Sequence, residues 1–159
     1  MTTEKVDFKA AVLDPIKSKK TMSELLPEQF NPELKIADKA AIYFFQQDEH
    51  QKKDRLKSTQ LRKFFHALKD IERTYKTKKE NDPFNFSDVS PVLPELAYAL
   101  GRELIPREFY DLMKECLSDR KLKTVKDYRR FIEFLTAILA YHKMHKELKD
   151  VKSSKGGDR

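Results

Sequence analysis

Between Thr59 and Tyr75 the apolar residues Leu61, Phe64, Phe65, Leu68, Ile71 and Tyr75 recur at i, i+3, i+4, i+7, i+10 and i+14. That spacing is the period of one helix face held over four turns, and no strand can place these side chains together. Only three glycines occur in 159 residues, two of them near the C-terminus, while Lys, Leu, Ala and Glu abound. Few glycines and many helix formers favour helices over a strand-and-turn architecture. The expected fold is all-α, a compact bundle of about five helices around one core.

The rest of the chain divides around that stripe. Residues 1–32 are polar and interrupted by Pro15, Pro27 and Pro32, and read as a weakly structured N-terminal arm. Residues 33–150 read as a single helical-bundle domain, and 151–159 as a flexible tail. A first helix is expected from about Leu34 to Gln47. Ser58 or Thr59 can cap the second. Ser90 followed by Pro91 has the form of an N-cap with proline at the first helical position, and Gly101 of a C-terminal stop. A fourth helix is expected from near Pro106, burying Phe109, Leu112, Met113, Cys116 and Leu117. Thr124 and Asp127, three apart, have the form of a capping box opening a fifth helix. There Tyr128, Phe131, Ile132, Leu135, Ile138, Leu139 and His142 make one wide stripe, with Phe134 and Tyr141 on its flank.

Charge is as unevenly distributed as hydrophobicity. Residues 52–79 hold eleven basic side chains against three acids, a surplus of eight, whereas the whole chain is +7. The positive surface is therefore local, on an otherwise near-neutral body. Such a surface attracts polyanions through counterion release. On a helical wheel Arg62, His66, Lys69, Arg73 and Lys76 fall on a second stripe, rotated off the apolar one. At ~1.5 Å rise per residue its members stand roughly 5–6 Å apart along the axis, close to the repeat of phosphates on one strand. The bland reading is a solvated helix face, but such faces mix signs, and none of these five positions is acidic. Lys52, Lys53, Arg55 and Lys57, just upstream, enlarge the patch. Tyr98 points away from the Leu93, Leu96 and Leu100 face and is followed by Arg102. Alone, that pair fits a base-stacking platform, a protein contact or a rim residue equally well.

Catalytic and metal chemistry find little support. His142 and His145 are three apart, but His142 is on the apolar stripe and no third ligand is evident, so a packing histidine is expected. His145-Lys146-Glu147 matches a piece of the zinc deaminase motif, which needs two further cysteines, and only Cys116 exists. Cys116 falls on a core stripe and reads as a buried, inert thiol. With Gly101 alone in the domain, a glycine-rich phosphate loop is excluded. Asp48-Glu49 sits among polar residues and reads as solvated. No apolar run approaches a membrane span, and Met1–Lys20 lacks the pattern of a secretory signal, so a cytoplasmic setting is expected.

Three segments, in order, resemble one family. Ser58-Thr59-Gln60-Leu61-Arg62-Lys63-Phe64-Phe65 resembles its "T-x-Q-(I/L)-R-K" segment, and Leu96-Ala97-Tyr98-Ala99-Leu100-Gly101-Arg102 its "L-A-Y-x-x-G-R" segment. Phe131 to Lys143 is similar to its C-terminal "F-x-x-F-x-x-A-x-x-A-Y-H-K" helix. The family is the small subunit of the type III-A CRISPR effector, the Csm interference complex, and the likeness covers about residues 35–147. The resemblance implies a non-catalytic helical subunit without cofactors, stacked in several copies along a ribonucleoprotein filament beside other subunits. It implies contact with the target RNA and the guide RNA–target duplex in antiviral defence. The positions it carries over are Gln60, Arg62, Lys63, Tyr98, Arg102, Tyr141, His142 and Lys143. His66, Lys69, Arg73 and Lys76 come from helix geometry alone. An adaptor docking an acidic protein partner on the same basic face is the other expectation.

Overall fold

The computed structural model describes residues 5–30, 35–51 and 59–157, with side chains for all of these except 50, 51, 60 and 150–157. It is all-α. Five helices of ten residues or more carry the described part of the fold: α2 (Ile36–Gln51), α3 (Thr59–Thr74), α4 (Val92–Gly101), α5 (Arg107–Cys116) and α6 (Val125–Gly157). A short α1 (Asp14–Lys17) precedes them, continuing a π-helical turn over Lys9–Leu13. Among the described residues the only β pairing is an isolated antiparallel bridge between Pro83 and Thr124.

The long helix α6 is the spine, and α2 packs along it more extensively than any other helix. Its stripe is buried as its period dictates: Tyr128, Phe131, Ile132, Phe134, Leu135 and Ile138 lie in the core. The capping box that opens it is formed. The Asp127 amide donates to Thr124 Oγ1 at 3.3 Å, and the Thr124 amide donates back to Asp127 Oδ2 at 2.9 Å. The helical backbone then runs on to Gly157, where a flexible tail was expected from residue 151.

The expected arm is corrected more thoroughly. Phe8, Val12, Ile16, Met22 and Leu25 are all in the core, three of them at i, i+4 and i+8. Pro15 does not end this segment: it stands at the junction where the π-helical turn passes into α1, and the helical backbone runs through it to Lys17. Pro27 likewise opens a 3-10 turn, Pro27–Phe30. Cations hold the segment down: buried Lys121 Nζ donates to the Lys19 carbonyl at 2.7 Å, and Arg130 Nη1 donates to the carbonyls of Ser23 and Leu25. The Ser23 amide donates to Asp127 Oδ1 at 3.0 Å, so one carboxylate closes both the α6 cap and the N-terminal segment.

Two helix ends also differ from expectation. α4 starts at Val92 with Pro91 at its N-cap and no side-chain cap, while the Ser90 hydroxyl turns back to the Ser87 carbonyl. At its other end the Glu103 amide donates to Leu100 O and the Leu104 amide to Ala99 O, both at 2.9 Å. That is a Schellman closure, and its left-handed residue is Glu103 at φ 60°, not Gly101.

Candidate nucleic-acid interface

α3 is set into the bundle by its apolar face. Leu61, Phe64, Leu68 and Tyr75 are buried and Phe65 and Ile71 half-buried, as the spacing requires. α6 fixes its height: buried Tyr128 donates its hydroxyl to the Leu68 carbonyl at 2.7 Å. Arg129 donates to the carbonyls of Tyr75 and Lys78, closing the C-terminal end where helix carbonyls lack partners. Tyr75 donates to Asp88 Oδ2 and accepts from the Asn85 amide. Burial first, and then the Asp88 carboxylate, push its phenol pKa up. With one face locked, the opposite arc of α3 must face outward.

On that arc Arg62, Lys63, His66, Arg73 and Lys76 are exposed and Lys69 is half-buried. The row is not unopposed. Lys69 Nζ pairs with Glu72 at 2.9 Å, and Arg73 Nη1 pairs with Asp70 at 2.5 Å, each three residues apart on α3. The five stripe positions contain no acid, but their side chains reach acids beside the row. Exposed pairs of this kind are worth at most about 1 kcal/mol, so either cation can exchange its carboxylate for a phosphate at little cost. Arg62, Lys63, His66 and Lys76 make no ion pair among the described residues. Lys76 stands in the turn after α3 rather than on the helix itself. Lys52, Lys53, Arg55 and Lys57 lie outside the described residues. Gln60 is on α3, its side chain likewise outside them.

The first two family-like segments meet in space. A groove of about 480 Å³ between α3 and α4 is lined by Lys63 and Phe64 from the first and by Leu96, Tyr98 and Ala99 from the second. None of the five stripe residues lines it. Tyr98 is 61% exposed. Arg102, one turn on, donates to its hydroxyl at 3.1 Å and holds its guanidinium carbon 5.8 Å from the ring centroid.

The third segment separates into different roles. Tyr141 donates its hydroxyl to the Phe30 carbonyl. His142 is buried, with Nε2 3.2 Å from Asp48 Oδ2, and is the packing histidine the sequence suggested. Of these three only Lys143 is exposed, and it reaches Glu147 at 3.9 Å on its own helix. Asp48 is therefore a correction: it is 7% exposed and bound to a histidine, not solvated. Its Oδ1 is buried with no hydrogen-bond partner among the described residues. Buried Asp38 similarly meets His145 at 2.7 Å. These pairs join residues about a hundred positions apart, and no local signal announces them. Buried Lys121 was missed for the same reason.

Cys116 is buried, and its burial pushes the thiol pKa far up, so it is no nucleophile. Among the described residues no three His, Cys, Asp or Glu side chains are grouped to hold a metal ion. No helix among them is long and apolar enough to cross a membrane.

An all-α body with an exposed row of cations on one helix defines a class of small helical protein with a basic face. The family is more specific. The model of the family described as Csm2 Type III-A matches residues 35–148, and the chain belongs to that family, the small subunit of the type III-A CRISPR effector. It is thus a component of the multi-subunit Csm complex. Neither the curated proteins nor the solved structures contain a match.

Proposed function

We propose that this subunit is a non-catalytic RNA-binding element of the effector. In this reading it stacks in several copies along the filament and touches the target RNA, within the guide–target duplex, through its backbone. The observation that carries the reading is the outward arc of α3. Arg62, Lys63, His66 and Lys76 stand there without ion-pair partners among the described residues, and Lys69 and Arg73 hold only exchangeable ones. A row of cations at phosphate-like intervals gives affinity without base reading. In an RNA-guided machine, sequence is read by base pairing, so the protein needs no more than this. A cytoplasmic setting fits the same reading.

The test is binding of single-stranded RNA of about 40 nucleotides and of a matched duplex across a salt series, where each phosphate contact steepens the slope of log K against log salt. The expected result is a steep negative slope that ignores sequence. Reversing Arg62, Lys69 and Arg73 to Glu together lowers affinity at least tenfold while the circular dichroism spectrum is kept. A folded triple variant that binds as the parent does ends the reading and leaves the basic face to an acidic protein partner.

A further inference from the structure

We propose that the groove between α3 and α4 is a base pocket: it takes one unstacked nucleobase of an RNA strand, stacked on Tyr98, with the adjoining phosphate on Lys63. This rests on the RNA-binding reading above and adds to it a contact that the stripe cannot make. The groove has an apolar floor, with Leu61, Phe64, Leu96, Ala99 and Ile105 among its lining. Its volume of about 480 Å³ is in the range of small-ligand sites. Its polar lining is Lys63, Glu95 and Tyr98. An unstacked base presents what such a site fits, an apolar π-face and a polar edge.

Tyr98 is preset for stacking. The Arg102 guanidinium lies over its ring, a contact that survives without the hydroxyl it also bonds, on a side chain that is otherwise open to solvent. One face is thus backed by a cation and the ring still offers most of its area. Charge then orients the occupant. Glu95 repels a phosphate at its side of the groove, whereas Lys63 attracts one. On the helical wheel Lys63 lies between groove-lining Phe64 and exposed His66. A strand leaving the pocket at Lys63 therefore continues directly onto the stripe, one backbone following both.

The experiment uses the full chain and two strands of equal length, one an ordinary RNA with a central 2-aminopurine and one a ribose–phosphate strand without bases. The parent protein is expected to quench the 2-aminopurine and to bind the RNA about tenfold more tightly than Tyr98→Ala does, the size of one aromatic–base stack. Tyr98→Phe keeps both properties. On the baseless strand the parent and Tyr98→Ala bind equally. Equal affinity of parent and Tyr98→Ala for RNA, with the salt slope intact, overturns the pocket and leaves the backbone reading standing. An equal loss on both strands also overturns it, because Tyr98 then acts on backbone or scaffold. A Tyr98→Ala effect on self-association alone assigns the groove to a second copy and overturns it as well. Failure of the parent to bind either strand at low salt removes the pocket and the backbone reading together.

Discussion

The seam between α2 and α6 and the outward arc of α3 both carry charged side chains, in opposite circumstances. In the seam Asp48 and Asp38 are buried, and each meets a histidine from the far end of the chain. On α3 the acids Asp70 and Glu72 are neighbours of the cations they pair with, at or near the surface. Burial raises the energetic consequence of losing a partner, because a desolvated carboxylate has no water to fall back on. Exposure does the reverse, since water and salt replace any partner. Charges in the seam therefore hold structure together, and charges on α3 are free to be shared with a ligand.

The sharpest way to break the comparison is His142→Ala. It strips Asp48 of its histidine while Oδ1 already lacks a partner among the described residues, and should cost about 3–4 kcal/mol in urea unfolding. A loss below about 1 kcal/mol would mean that the carboxylate finds water and that the seam behaves like a surface. Replacing both His142 and Asp48 by leucine should recover much of the loss.

Next in size is Ile16→Ala. If residues 5–30 belong to the core as firmly as α6 does, removing a fully buried Ile costs about 3 kcal/mol. A free arm would show no change in thermal melting.

A smaller effect attaches to Asp127, the carboxylate shared by the α6 cap and Ser23. Burial alone would raise its pKa, but hydrogen bonds from Ser23, Thr124 and Lys123 outweigh this and lower it. A lowered folded value stabilises the protein at pH above the unfolded carboxyl value of about 4, and the gain is lost as pH falls through the folded value. Asp127→Asn should cost about 1 kcal/mol near neutrality. Melting curves of parent and variant should converge as the pH is taken well below 4.

Smallest of all, Arg73→Ala should move stability by less than about 0.5 kcal/mol, since its pair with Asp70 is exposed. The same variant should still weaken RNA binding measurably. A stability loss comparable to that of His142→Ala would erase the distinction between the two regions.

The sequence by itself determined what repeats over a few residues. The period of Leu61 to Tyr75 specified α3 and its buried face, the Thr124–Asp127 box specified the start of α6, and three short segments specified the family. It also misjudged locally: Pro15 and Pro27 read as breakers, although one stands where a π-helical turn passes into α1 and the other opens a 3-10 turn, and Gly101 read as the left-handed stop that Glu103 supplies. The helix-wheel stripe is visible in the sequence, but its pairing with Asp70 and Glu72 is not, since those acids lie beside the row. Only the tertiary structure decided that Asp48 meets His142, that Lys121 and Arg130 fasten the N-terminal segment, and that Lys63 and Tyr98 share one groove. Those partners stand from 35 to more than 100 residues apart. Helix period and capping are local energies that a short window reports, whereas which helix faces which is set by packing the whole core at once.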